Sequence, residues 1–306
     1  PFTHVIVRQA GSGSPVLAAS VSGASLTIEA SSSLDLSGFN FELNDGGAVK
    51  GGGTLKLKGN EVLSNLGNLA TTSTGTVLYY GTGSFTGLTA GNNYNNLTIN
   101  DGLVGYWKFD EGTGTSAADS SGHGNNGTLT SGPTWSASPT NDIIFTNPYA
   151  LSFDGADDYV SAGSSATLNP SNAITLSAWV YPNSTSVAGG IISNSLASTN
   201  FNGYNLFPYS DGNVYCDIGN GSSYGRASIA YSASTWQHFV CTYDGTNVKL
   251  YKNAGAPVST SFTGNISNPS QSTTIGLISN YVYYLNGSLD DVRIYNRALS
   301  AGEVAA

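Results

Sequence analysis

Residues 102–306 contain many short runs in which apolar and polar positions alternate. Within Leu289–Tyr295, Val292 and Ile294 share one face, and Asp291 and Arg293 share the other. Alternation with a period of two is typical of a strand that has one buried face. Runs of this kind predict the following strands: Tyr106–Phe109, Ala150–Phe153, Tyr159–Ser161, Ile174–Val180, Tyr204–Phe207, Asn213–Ile218, Trp236–Tyr243, Asn247–Lys252, Ser272–Ile275 and Leu289–Tyr295.

Turn signals separate these strands. Asp211–Gly212 and Asp244–Gly245 favour hairpins, and Asn286–Gly287 is predicted to be a tight turn before the last strand. No run of helical period and length is present. Many antiparallel strands without helices predict an all-β antiparallel double-sheet jelly roll over residues 102–306.

Residues 1–101 form a smaller β-rich module with shorter, evenly spaced strands. This spacing favours a β-solenoid, and a small sandwich is the alternative. GTVLYYGTGSFTGLTAGNNYNNLTIN (residues 75–100) resembles the repeats of bacterial surface proteins and adhesin stalks. A solenoid rung cannot bury its apolar face alone. We therefore expect more chain, or another molecule, to pack against Pro1–Val7. The apolar pairs that predict strands are Leu26/Ile28, Leu34/Leu36, Phe41/Leu43, Leu55/Leu57, Val77/Tyr79 and Leu97/Ile99.

The composition limits the kind of protein and partner. Charged residues make up 9% of the chain, well below the roughly 25% of a typical soluble domain. The net charge of −9 argues against a nucleic-acid partner, because no basic stripe exists to neutralise phosphates. No run is long and apolar enough to span a membrane, and no signal peptide is evident. The absence of Met and the start at Pro1 suggest a piece of a longer or processed protein, which we expect to be extracellular or at the cell surface.

Five motifs in a fixed order extend the argument to a family. They are GLVGYWKFDEGTGTSAADSSGHGNNGTL, ALSFDGADDYVSAG, ITLSAWVYP, TWQHFVCTYDGTNVKLYKN and GSLDDVRIYNRALSAGEVAA. Together they resemble the laminin-G-like members of the concanavalin A-like lectin/glucanase superfamily over about residues 103–306. The resemblance implies a jelly roll whose first and last strands meet. It also implies glycan or protein binding and, in many members, a bound calcium ion.

Three loops rich in carboxylates and amides are candidates for a structural calcium site. Calcium takes six to eight oxygen ligands, and Gly-rich loops let backbone carbonyls contribute to them. In the implied jelly roll the first and last segments are neighbours, so these loops are expected to converge. The alternative is that Asp119 and Asp154 only cap their own turns, and that Asp158 or Asp291 pairs with Arg293. The candidate ligands are Asp119, Asn125, Asp154, Asp157, Asp158, Asp290 and Asp291.

Exposed aromatic side chains are the candidates for ligand binding. A glycan site needs rings that stack on sugar faces, with polar groups nearby. Tyr281, Tyr283 and Tyr284 lie in one predicted strand, and adjacent residues of a strand face opposite sides. At least one of these rings must therefore be exposed. The alternative is that most of these tyrosines pack within strands, which favour aromatic residues. The candidate ligand-binding residues are Tyr204, Tyr209, Tyr224, Arg226, Tyr281 and Tyr283.

Catalysis is not predicted. Glycoside hydrolysis requires a pair of suitably placed carboxyl groups, and the glucanases of this superfamily carry them on one strand. After residue 100 the only glutamates are Glu111 and Glu303, and no strand carries two alternating acids. The three histidines have no metal-hydrolase spacing.

Cys216 and Cys241 each lie in a predicted strand. A disulfide between neighbouring strands and two buried free thiols are both compatible with the sequence.

We therefore predict a non-catalytic extracellular protein whose jelly roll mediates adhesion by binding a glycan or a protein. One alternative is a structural subunit that polymerises with copies of itself, in a filament or surface layer, through the N-terminal module. Another is an accessory carbohydrate-binding module of a larger hydrolase.

Overall fold

The computed structural model divides the chain into two compact units, Pro1–Gly102 and Leu103–Ala306. It describes residues 5–7, 21–28, 33–36, 41–50, 54–57, 63–64, 76–79, 96–99, 102–137, 147–186, 188–195, 202–278 and 281–305. No helix in these ranges is long and apolar enough to span a membrane.

The described strands of the first unit pair in parallel and form two sheets. One sheet has the order β1-β2-β4-β6 and the other β3-β5-β7-β8. The strands are β1 (Val5–Val7), β2 (Val21–Ile28), β3 (Ser33–Asp35), β4 (Phe41–Lys50), β5 (Thr54–Leu57), β6 (Leu63–Ser64), β7 (Thr76–Tyr79) and β8 (Asn96–Ile99).

Equivalent apolar positions are stacked across the first unit. Leu34 pairs with Leu55, Leu55 with Val77, and Val77 with Leu97, so one strand recurs about every 21 residues, a period typical of solenoid repeats. Leu34 and Leu55 are buried. Parallel pairing with a regular period is the arrangement of a solenoid, not of an antiparallel sandwich.

The described strands of the second unit are β9 (Leu103–Trp107), β10 (Ser116–Ala117), β11 (Gly127–Thr130), β12 (Thr134–Ala137), β13 (Tyr149–Asp154), β14 (Tyr159–Ser161), β15 (Ile174–Pro182), β16 (Ile192–Asn194), β17 (Asn202–Pro208), β18 (Asn213–Asn220), β19 (Tyr224–Ala230), β20 (Gln237–Tyr243), β21 (Asn247–Lys252), β22 (Val258–Ser261), β23 (Thr274–Ile275), β24 (Leu277–Ile278), β25 (Tyr283–Tyr284) and β26 (Asn286–Tyr295). A short 3₁₀ helix covers Ala166–Leu168, and the helix α1 covers Ala301–Ala305.

Two large antiparallel sheets form the sandwich of the second unit. Sheet I has the order β10-β11-β14-β23-β16-β17-β18-β19, and sheet II has the order β12-β13-β26-β15-β20-β21-β22. The first strand, β9, pairs with the last strand, β26. The predicted all-β jelly roll with meeting end strands is thus confirmed.

The core lies between sheets I and II and includes a covalent link across it. Trp107, Leu176 and Phe239 are fully buried there. Cys216 of sheet I is disulfide-bonded to Cys241 of sheet II, and both are fully buried. Of the two alternatives compatible with the sequence, the disulfide is therefore the one observed. The two strands that carry it belong to different sheets and face each other across the core.

Asn286–Gly287 is not the tight turn that the sequence predicts, because both residues lie within β26. A Cβ atom on Gly287 would lie 2.4 Å from the carbonyl oxygen of Tyr181 on β15. Glycine therefore permits close approach of two paired strands here, which is another reason for glycine within a strand.

The helix α1 packs against sheet II. Ser300 and Glu303 form a capping box, because the Glu303 carboxylate accepts a hydrogen bond of 2.8 Å from the Ser300 N–H and the Ser300 hydroxyl accepts one from the Glu303 N–H. Val304 packs against Val240 and Tyr251 on the outer side of sheet II.

Candidate functional site

A β-bulge accounts for the paired carboxylates of the last strand. Leu289 and Val292 are both in the core, yet three positions separate them, so strict alternation is interrupted between them. The register between β15 and β26 shifts at this point, and Asp291 has a positive φ of 49°. A bulge inserts one such extra residue, and Asp tolerates this backbone region better than most residues.

Asp290 and Asp291 are both buried beside this bulge and are bound to neighbouring strands and loops. Asp290 accepts a 2.7 Å hydrogen bond from the Asn147 side chain. One oxygen of Asp291 accepts hydrogen bonds from the Tyr106 hydroxyl and, at 3.1 Å, from Arg293. Arg293 also lies over the Tyr106 ring, 4.3 Å from its centroid. These carboxylates thus join β9, β26 and the segment before β13.

The Asp119 loop is held by its own backbone. Both oxygens of Asp119 accept hydrogen bonds, from the N–H groups of Tyr106, Ser121 and Asn125 and from the Ser121 hydroxyl. These bonds outweigh burial, which acts in the opposite direction, and lower the pKa of Asp119. The Asn125 side chain donates to Val104 and Thr167. The alternative interpretation, in which Asp119 caps its own loop, agrees with these contacts.

The Asp154 turn brings three carboxylates together. The oxygens of Asp154, Asp157 and Asp158 lie within 4.8 Å of one another, and no other group of three acids, cysteines or histidines in the described part of the chain is as close. Asp158 also accepts a hydrogen bond from the Asp154 N–H. The predicted convergence of all three loops on one ion is therefore not the observed arrangement, because Asp119 and Asp290 are not members of this group.

Calcium binding stays a prediction, and the Asp154 turn is the place that offers it several carboxylate oxygens. We expect a chelator to lower the melting temperature of calcium-loaded protein, because an ion that binds only the folded state stabilises it. Scanning calorimetry with and without EDTA measures this shift. Asp157→Asn should reduce the shift, whereas Asp244→Asn, in a turn outside the three loops, should preserve it. A melting temperature that EDTA does not change would contradict the prediction of a structural calcium ion.

Aromatic side chains line a groove of about 320 Å³ on the outer face of sheet I. This volume lies within the range of small-ligand sites. Tyr215 and Arg226 form its floor, because they lie on β18 and β19 on the face opposite the buried Cys216 and Ala227. The lining residues are Tyr209, Tyr215, Tyr224, Arg226, Tyr281 and Tyr283.

Arg226 is fixed at the floor by a bidentate ion pair. Its Nε and one Nη donate to the two oxygens of Asp217 at 2.7 and 2.6 Å. The guanidinium lies 4.7 Å from the Tyr215 ring centroid and 5.0 Å from that of Tyr224, within cation–π distance of both. Burial raises the pKa of Asp217, although the hydrogen bonds from Arg226 act in the opposite direction.

The wall of the groove comes from the hairpin that contains β24 and β25. Tyr281 is 59% exposed and stacks on Tyr283, with ring centroids 5.5 Å apart and planes 17° apart. Tyr283 in turn contacts Tyr209, which follows β17, at 6.3 Å. An exposed stack of parallel rings offers the flat apolar surface on which a sugar ring packs.

The structure places five of the six predicted ligand-binding residues in this groove and excludes the sixth. Tyr204 is fully buried, and its hydroxyl donates to the Leu168 carbonyl, so it cannot contact a ligand. Tyr215 was not predicted, although its alternation with Cys216 places it on the same face as Asp217. Its hydroxyl donates to Asp211, and this hydrogen bond lowers the pKa of Asp211 and raises that of Tyr215.

One serine–histidine contact lies outside the groove. The Ser177 hydroxyl is 2.8 Å from Nε2 of His238, and the imidazole stacks on Trp179 with centroids 5.1 Å apart. Burial lowers the pKa of His238 to about 4. Ser177 is only 3% exposed, so its hydroxyl is not accessible to a substrate, and the contact joins β15 to β20.

Comparisons with known proteins agree with this architecture. The family model described as the concanavalin A-like lectin/glucanases superfamily matches residues 154–305. No curated protein sequence matches the chain.

Several solved structures are similar to part of this chain. The binding domain of Paraclostridial Mosquitocidal Protein 1 is 17% identical, covers 67% of this chain and 51% of its own, and has a TM-score of 0.53. The botulinum neurotoxin serotype D/C binding domain is 15% identical with the same coverage and a TM-score of 0.50. Domain 4 of an extracellular arabinanase from Geobacillus stearothermophilus, in complex with arabinotriose, is 20% identical, covers 66% of this chain and 96% of its own, and has a TM-score of 0.46.

At these identities the likeness to solved structures concerns the fold alone, and the match spans about half the length of the two toxin domains. The sequence match, the two antiparallel sheets and the pairing of β9 with β26 point to the same architecture. The second unit is therefore a laminin G-like domain of the concanavalin A-like lectin/glucanase superfamily.

Proposed function

We propose that the second unit is a non-catalytic binding domain that takes a glycan in the tyrosine groove and serves adhesion. The observation that carries the proposal is the groove itself, in which five tyrosines and one arginine face a volume of about 320 Å³. Tyrosine offers an apolar ring and a polar hydroxyl at a low cost in conformational entropy. The two toxin structures that resemble the unit are binding domains by name, which supports a binding role.

An extracellular setting is part of the same proposal. The disulfide between Cys216 and Cys241 supports it, because such bonds persist in oxidising compartments. The solenoid-like first unit suits a stalk that holds a binding domain away from a surface. Assembly with copies of the same chain stays a prediction, and electron microscopy of the purified protein tests it directly.

Removal of groove tyrosines is expected to weaken glycan binding. On a glycan array, the full chain should bind a defined set of oligosaccharides. For the best of these, Tyr281→Ala and Tyr224→Ala should each raise the Kd about tenfold, which corresponds to about 1.4 kcal/mol. Isothermal titration calorimetry measures the change.

Tyr149→Ala provides a matched control, because Tyr149 is about as exposed as Tyr224 but lies on β13 in sheet II. Its Kd should equal that of the unaltered protein. Equal affinity in all four proteins would show that the glycan binds elsewhere. The absence of any array signal would count against the glycan proposal itself.

A further inference from the structure

The charges around the tyrosine groove are arranged in a way that bears on the ligand. Among the described residues that line the groove, Arg226 is the only cation, and Asp217 already occupies two of its N–H groups. Asp211 is bound to the Tyr215 hydroxyl at the same floor. The three charged groups therefore sum to one negative charge, and the cation is already neutralised within the protein.

An acidic ligand would compete with Asp217 for Arg226. Asp217 is 15% exposed, so loss of its bidentate partner would leave a largely buried carboxylate unpaired. Such a loss is costly, because a desolvated charge depends on its partner. Asp211 is exposed and bound to the Tyr215 hydroxyl, so it repels an acidic ligand only at short range, because solvent and salt screen exposed charges.

An uncharged sugar meets no such conflict. Arg226 is 42% exposed, and a guanidinium has five N–H groups, so hydroxyl oxygens can accept from those that Asp217 does not use. The faces of Tyr281, Tyr283 and Tyr224 provide stacking surface that requires no charge on the ligand. Arg226 is thus an oriented hydrogen-bond donor whose charge is balanced by Asp217.

We propose that the tyrosine groove selects uncharged saccharides and discriminates against saccharides that carry a carboxylate or a sulfate. This inference rests on the proposed function of the groove. It narrows that function to one class of glycan and follows from the Arg226–Asp217 pair and the neighbouring Asp211.

The experiment compares matched glycans on one array: neutral oligosaccharides and the same oligosaccharides extended with a sialic acid, a uronic acid or a sulfate. We expect the full chain to bind neutral members at least tenfold better than their acidic counterparts. Binding of the neutral members should change less than twofold between 50 and 500 mM NaCl, because an uncharged ligand has no charge to screen.

Two variants connect the result to the residues. Asp217→Asn should release the charge of Arg226 and reduce the discrimination against acidic glycans at least threefold, whereas Asp244→Asn, which lies in a turn away from the groove, should leave it unchanged. Arg226→Gln should weaken neutral binding and still disfavour acidic glycans. Circular dichroism establishes that each variant is folded.

The outcomes separate this inference from the proposed function. Acidic members that bind as well as or better than neutral ones, with affinity that falls as salt rises, would overturn the selectivity and leave glycan binding intact. Unaltered discrimination in a folded Asp217→Asn variant would also overturn the selectivity and leave glycan binding intact. Binding to no member of the array would overturn both proposals.

Discussion

Replacement of both Cys216 and Cys241 by alanine should lower the melting temperature of the second unit by about 10 °C. The disulfide closes a loop with a sequence separation of 25 residues between sheets I and II. In the chain-entropy account, closure of a loop of this size stabilises the folded state by about 3.5 kcal/mol. Both sulfurs are fully buried, so alanine also removes packed atoms from the core. Scanning calorimetry of the full chain measures the effect.

A reductant provides the control for this experiment. Dithiothreitol with mild denaturant should lower the stability of the unaltered protein towards that of the double-alanine variant, and it should not change the variant. Identical melting temperatures for oxidised protein and variant would show that the bridge between the sheets contributes nothing to stability.

Arg293→Met should destabilise the second unit by about 3 kcal/mol. Asp291 is 3% exposed, and Arg293 is its cationic partner at 3.1 Å. Removal of one partner of a buried ion pair leaves an uncompensated charge, which typically costs 3–5 kcal/mol. The loss should appear as a lower midpoint of urea denaturation with an unchanged m-value.

Two further variants test the cause. Asp291→Asn combined with Arg293→Met should be more stable than Arg293→Met alone, because no charge then remains unpaired, and Asn tolerates the positive φ at this bulge. Lys249→Met breaks an exposed pair with Asp244 at 3.9 Å and should cost less than about 1 kcal/mol. If Lys249→Met and Arg293→Met had equal effects, burial of the Asp291 pair would not be the source of its energy.

Local alternation in the sequence predicted all but one of the described sandwich strands of five or more residues, and it missed most of those of two to four residues. The predicted strands Tyr159–Ser161 and Asn247–Lys252 have the observed bounds. The bulge in β26 was missed, although Leu289 and Val292 already break the period of two. The strand Tyr224–Ala230 was missed because Gly225 and Arg226 interrupt its apolar pattern. Its burial is set by cross-strand neighbours and not by its own composition.

The site was harder to predict because its residues come from distant parts of the chain. The aromatic residues of the groove were identified from exposure arguments, but only the topology brings the hairpin of Tyr281 and Tyr283 beside β18 and β19. Tyr204 was misassigned because periodicity does not say which face of a strand is covered. The acidic loops were expected to converge on one ion, whereas the backbone N–H groups around Asp119 already satisfy its oxygens. Such local satisfaction depends on loop geometry that residue types alone do not fix.

The stacked parallel strands of the first unit have a consequence for how its length changes in evolution. Leu34, Leu55, Val77 and Leu97 occupy equivalent positions in successive rungs, and each rung contacts only its neighbours in such a fold. Insertion or deletion of one whole rung would preserve the pairing of every remaining strand, whereas half a rung would bring unlike positions into register. The length of such a module can therefore change in evolution by whole rungs, and the packing between the remaining rungs is preserved.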